Sequence, residues 1–200
     1  MRLLASALLA TMASASLAIA QPISAQTGAP QGMVTEAMQQ SAQVPAQSQL
    51  RPLARQDEIF LYEIAGAGVT EVEFGRLAQQ KAAHPEVKDF ARHMVEDHSK
   101  ANAKLNVMVQ GTEAKLPTAM NGTYRNTHAE LQKMNGAAFD RAYMKAQVDD
   151  HRKVLQMLEH QAQAGTDPKL KAFAAEQIPT VRQHLEMAQK LENRVQTGQR

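Results

Sequence analysis

Cysteine and tryptophan are absent from the 200-residue chain, and aromatic residues make up only 4% of it. The absence of cysteine excludes disulfides, cysteine-ligated metals and a lipoprotein anchor, so stability must come from buried apolar surface. Alanine, leucine, valine and methionine are left to fill the core. This composition suits packed helices better than sheets.

A strong excess of charge of either sign is also lacking. The chain has 22 Lys and Arg residues against 20 Asp and Glu. Loss of Arg2 with a cleaved leader would leave 21 against 20, which is close to neutral. Basic residues form no cluster, so nothing favours binding to nucleic acid.

The first 20 residues have the pattern of a secretory signal peptide. Arg2 precedes an uncharged run of Leu, Ala, Ser and Met that ends Ala18-Ile19-Ala20. We expect cleavage near Ala20, with a cut after Ala25 as the second choice. The apolar run is too short and too rich in Ala and Ser for a strong membrane span. The sequence therefore predicts a periplasmic or envelope protein without a transmembrane segment after cleavage, able to associate peripherally with the envelope.

Residues 21–56 are rich in Gln, Ala, Ser and Pro and have few charges, which predicts a disordered linker. Residues 57–193 show helical periodicity and predict an all-α four-helix bundle. The breaks fall at His84-Pro85, at Gly111 to Asn135 and at Gly165 to Pro168. The middle break is a long connection between the second and third helices of the bundle, and residues 194–200 should fray.

Each predicted helix carries one ionisable side chain on its apolar face. Counting residues from the short turns places these groups within about one helical turn of each other in each hairpin, near the middle of the bundle. Three imidazoles and a carboxylate suit one transition-metal ion such as zinc, copper or iron. The predicted ligands are Glu71, His98, His151 and His184. Candidate supporting groups around them are Asp97, Asp140, Tyr143 and Asp150.

The same four groups have a simpler interpretation. A buried histidine is more often hydrogen-bonded to Glu or Gln in a core than bound to a metal. The alternative is therefore a structural or interaction module, whose buried Glu–His network only fixes the register of the helices.

Segments of each helix resemble a bacterial exported family, the domain of unknown function 4142. The matching segments are Glu71–Ala78, Phe90–His98, Phe139–His151 and Ile178–His184. The resemblance implies a ferritin-like four-helix bundle without an established activity, from a family often labelled as outer-membrane proteins.

The chain departs from di-iron ferritins in one respect. Those bundles need Glu three residues before a ligand histidine, whereas Val95, Val148 and Val181 stand there. One carboxylate cannot balance the charge of two ferric ions. We therefore expect a non-enzymatic exported bundle with an envelope or stress-related role, and rank a metal-dependent hydrolase or oxidase last.

Overall fold

Five helices make up most of residues 50–198, the part of the chain that the computed structural model describes. The predicted signal peptide and nearly all of the predicted linker lie outside it. The helices, in chain order, are α1 (Arg55–Lys81), α2 (Pro85–Met108), α3 (Gly122–Gln132), α4 (Gly136–Ala164) and α5 (Pro168–Thr197). Among these residues, no helix has the length and hydropathy needed to cross a membrane.

The four long helices form two hairpins joined by one long connection. Asp140, near the start of α4, accepts hydrogen bonds from the backbone N–H groups of Ala83 and His84, just before α2. Helices α2 and α4 therefore begin at the same end of the bundle and run parallel. The connection of residues 109–135, which includes α3, returns the chain along the bundle. A single long crossover of this kind is the ferritin-like arrangement, so the predicted fold class is confirmed.

Local sequence sets where the helices begin. Asp167 accepts hydrogen bonds from the N–H groups of Lys169 and Leu170, and Pro168 occupies the first position of α5. His84 caps α2 in a similar way, with Pro85 following it. The acceptor before the helix pairs with free N–H groups of the first turn, whereas the proline at the first position has no N–H that would need a partner.

The ordered bundle is longer than the predicted 57–193. At its start, α1 begins at Arg55, and Arg51 pairs with Asp167 at 2.8 Å, so the last residues of the predicted linker are fixed to the bundle. At the other end, α5 continues to Thr197, where Gly198 caps it at φ 69°. Part of the predicted frayed tail is thus helical.

Two hydrophobic clusters divide the interior. One cluster, around Phe90, occupies the end where α2 and α4 begin, and the other, around Leu158, occupies the opposite end. On each long helix, one of the predicted ligands falls between the segments that belong to the two clusters. These residues are Glu71, His98, His151 and His184. The bundle therefore has a polar layer at mid-height, where the helix counts had placed it.

Candidate metal centre

Three histidines from three helices meet in the polar layer. One ring nitrogen from each of His98, His151 and His184 lies within 4.8 Å of the others. The ring centroids are 5.5–5.7 Å apart in all three pairs. His151 and His184 are buried and His98 is half-buried. The structure therefore brings together three of the four predicted ligands.

Hydrogen bonds fix two of the rings and decide which nitrogen remains free. The Nδ1 of His151 lies 2.9 Å from the carbonyl oxygen of Gln147, and the Nε2 of His184 lies 3.0 Å from the Oδ2 of Asp97. Each of these nitrogens carries the proton of a neutral imidazole, because its neighbour is an acceptor. The lone pair is then on the other nitrogen. Those nitrogens, His151 Nε2 and His184 Nδ1, are buried without a hydrogen-bond partner, as is His98 Nε2.

Burial keeps all three imidazoles uncharged. It lowers the pKa of His151 to about 3 and that of His98 well below its usual 6.5, and the neighbouring histidines lower both further. The pKa of His184 is also lowered by burial, although the Asp97 carboxylate opposes the shift. At neutral pH the free nitrogens of His151 and His184 therefore present lone pairs, and the uncharged His98 ring also has one nitrogen lone pair, which is the form that binds a metal ion.

Glu71, the fourth predicted ligand, faces a different group. Its Oε2 accepts a hydrogen bond from the Nε2 of Gln147 at 2.8 Å, and its Oε1 lies 3.9 Å from His151 Nδ1. That nitrogen is the one bonded to the backbone, so Glu71 lies on the far side of the ring from the free nitrogen. Burial raises the pKa of Glu71 to about 8. A neutral carboxyl group bonded to Gln147 in this position does not complete the ligand set.

Of the four predicted supporting groups, only Asp97 contacts a ligand histidine. It contacts His184 across the helix interface, not its sequence neighbour His98. Asp150 lies 3.5 Å from Lys153, and Asp140 binds the turn before α2. Tyr143 packs between aromatic rings of the Phe90 cluster. Among the described residues, none of these three side chains has a hydrogen bond to the three rings, so the structure gives their predicted supporting role no support.

Gln147 is the residue that sequence reasoning placed on the apolar face but gave no role. Its side chain donates to Glu71, and its carbonyl oxygen contacts His151. The signal was available in the sequence: a glutamine four residues before a histidine on a buried face requires partners of its own.

Comparison with models of known sequence families identifies the family of the chain. The model of a domain of unknown function, DUF4142, matches residues 39–191. The chain belongs to the DUF4142 family. The predicted membership is thus confirmed, whereas the outer-membrane label has no support in this match. No curated protein matches the DUF4142 chain in sequence.

One solved structure resembles the bundle, the crystal structure of a DUF305 fragment from Deinococcus radiodurans. It superposes with a TM-score of 0.62 at 10% sequence identity, covering 72% of this chain and 99% of the fragment. At that identity the likeness establishes a shared helical fold.

Proposed function

We propose that this DUF4142 protein is a non-enzymatic exported bundle that binds one transition-metal ion through His98, His151 and His184. The proposal is supported above all by two observations: each ring brings one nitrogen within 4.8 Å of the others, and each ring has one buried nitrogen without a hydrogen-bond partner. An unpaired buried polar atom costs roughly 1–3 kcal/mol, and three at one point call for a common partner. Imidazole ligands suit zinc, copper and iron.

The supporting contacts have the pattern expected around metal-bound histidines. Such a histidine usually donates its second N–H to a carboxylate or a backbone carbonyl, which fixes the ring and strengthens the ligand. Asp97 has this position beside His184, and the Gln147 carbonyl has it beside His151.

Binding would draw the three rings closer together. Zinc–nitrogen bonds of about 2.0–2.1 Å hold tetrahedral ligand atoms roughly 3.3 Å apart. The three nitrogens lie up to 4.8 Å apart, so small side-chain rotations must accompany binding. Asp97 can follow His184 in such a movement, because its side chain is 39% exposed.

Export to the envelope is part of the proposal, with a stress-related or housekeeping role there. It rests on the Arg2-led apolar stretch that ends at Ala20. Mass spectrometry of the protein from a periplasmic fraction should find a mature chain that begins at Gln21. Cytosolic protein that retains Met1 would contradict export without affecting the metal site.

Elemental analysis of tag-free protein from the periplasm tests metal binding directly. We expect one equivalent of metal per chain, which His151→Ala removes. His160→Ala is the matched control, because His160 is exposed on the same helix. Zinc at 100 times its Kd should stabilise the wild-type protein by about 2.7 kcal/mol. A metal-free protein whose unfolding is unchanged by zinc, copper and iron overturns the proposal.

A register-fixing network is the second candidate. The Gln147 side chain joins α4 to α1 through Glu71, and its carbonyl oxygen fixes His151. This function predicts that His151→Ala, which removes the ring bonded to Gln147, destabilises the fold by roughly 2–4 kcal/mol. It also predicts no response to metal, which separates it from the first proposal.

A further inference from the structure

A small cavity adjoins the histidine layer on the side of the Leu158 cluster. It has a volume of about 30 Å³, and His98 forms part of its wall. Ala101, Val154 and Val181 also line it. Each of these three residues lies three positions from one of the histidines, on the same helix face and towards the Leu158 cluster. The cavity is thus roughly 4–5 Å along the bundle axis from the ligand layer.

Buried side chains lie on the opposite side of the layer. Met94, Gln147 and Ala188, each four residues from one of the histidines, are fully buried. A metal ion held by the three rings would therefore have packed side chains on one side and free space on the other. Three protein ligands with one open position is the arrangement of reactive metal sites, whereas structural sites are closed by four ligands.

The walls of the cavity indicate what it can hold. Its lining is mostly aliphatic, with the amides of Asn102 and Gln177 as polar groups besides His98. The lack of a side chain at Gly68 leaves room for the Asn102 amide, because a Cβ atom at Gly68 would lie 2.0 Å from Asn102 Oδ1. A space of about 30 Å³ holds about two water molecules, which excludes organic substrates. Ala101, Asn102 and Gln177 are half-buried, so the cavity is not sealed from solvent.

We propose that the three-histidine metal ion keeps a fourth coordination position open towards this cavity, where it binds an exogenous ligand of two or three non-hydrogen atoms. The inference rests on the proposed metal site and adds to it a small exogenous molecule that binds the metal. The metal ion binds one end of this ligand, and the cavity limits its size. The amides of Asn102 and Gln177 face the ligand atoms that are farther from the metal.

Azide bound to Cu²⁺-loaded protein is a suitable probe, because coordination produces an azide-to-copper charge-transfer band. We expect a saturable band in the wild-type protein. Ala101→Leu should fill the cavity, leaving Cu²⁺ binding intact while weakening azide binding by about tenfold or more. Ala103→Leu is the matched control, because Ala103 is exposed on the same helix and does not line the cavity. It should bind azide as the wild type does.

Enlarging the cavity provides an independent measurement should Ala101→Leu fail to fold. Val181→Ala should allow free imidazole, which is too large for the wild-type cavity, to bind the copper. Stoichiometric Cu²⁺ without an azide band overturns the open position and leaves the metal site standing. Azide binding that Ala101→Leu does not weaken, or a Val181→Ala variant that excludes imidazole, also overturns it. Failure to bind Cu²⁺ at all also overturns the open position, whereas the metal site itself falls only if zinc and iron fail to bind as well.

Discussion

Asp97 on α2 and His184 on α5 are 87 positions apart, yet the Asp97 Oδ2 lies 3.0 Å from the His184 Nε2. The contact holds the proton on Nε2 and leaves Nδ1 free in the interior. One surface-reaching carboxylate therefore orients a buried ligand of the proposed metal site.

Asp97→Asn should weaken metal binding without changing its stoichiometry. The amide cannot provide the carboxylate charge that raises the basicity of His184, and losses at such positions are about 10–100-fold in affinity. Isothermal titration with zinc measures the change. Glu96→Gln is the control, because Glu96 is exposed and pairs with Lys100. Equal affinities in the two variants would show that the contact does not tune the site.

The stability of the metal-free protein should be greatest near neutral pH. The folded pKa of each of the three histidines lies below its ordinary 6.5, so the unfolded chain binds protons that the folded chain does not. Stability is therefore lost as the pH falls from about 6.5 towards the folded pKa values, about 3 for His151. Titration of Glu71 changes the stability in the opposite direction with pH. Its folded pKa of about 8 exceeds the ordinary 4.5, so stability is lost as the pH rises from 4.5 through 8.

Glu71→Gln should remove only the alkaline loss. A neutral amide can still accept the hydrogen bond from Gln147, and it has no proton to lose above pH 8. By pH 9 the variant should avoid a destabilisation of roughly 3–5 kcal/mol that the wild type suffers. Urea unfolding of metal-free protein at pH 5, 7 and 9 measures this difference. Parallel stability curves for the two proteins would show that Glu71 does not titrate in the folded state as its burial implies.

Glu71 and Gln147 should be energetically coupled. Gln147→Leu leaves the buried Glu71 carboxyl without its donor, at a cost of roughly 1–3 kcal/mol. Replacing both residues by leucine should cost less than the sum of the single changes, with a coupling of roughly 0.5–3 kcal/mol in chemical unfolding. The Glu71→Leu and Gln161→Leu pair is the control. Gln161 bonds Asp57 at the end of α4, and this pair should be additive within about 0.5 kcal/mol.

Asp57 should stabilise the bundle without affecting the metal site. Its buried carboxylate accepts hydrogen bonds from the Gln161 side chain and from the backbone N–H groups of Thr166 and Asp167. Asp57→Ala leaves these donors unpaired and should cost roughly 2–4 kcal/mol. Glu58→Ala, at the next position, loses only a long ion pair to Arg55 and should cost less than about 1 kcal/mol. Zinc affinity should be the same in the folded forms of both variants.

Much of the fold follows from local sequence. Periodicity and the breaks at Pro85 and Pro168 predict the four long helices, and residue counts from the turns place the four ionisable groups at one depth. Local patterns were less informative in the connection, which contains the helix α3 (Gly122–Gln132). They also placed the end of the last helix too early: α5 continues to Thr197 with Gly198 as its cap, and Arg194 in its last turn pairs with Glu86 of α2.

The sequence by itself determined that one glutamate and three histidines lie on apolar helix faces at mid-height, because helical spacing fixes face and depth. Only the tertiary structure decided that the three imidazoles turn towards one another while Glu71 turns to Gln147. Side-chain direction depends on the rotation of each helix about its axis and on partners from other helices, as with Asp97 and His184. The cavity beside His98 has the same origin, because it arises where four helices leave space that none of them encloses alone.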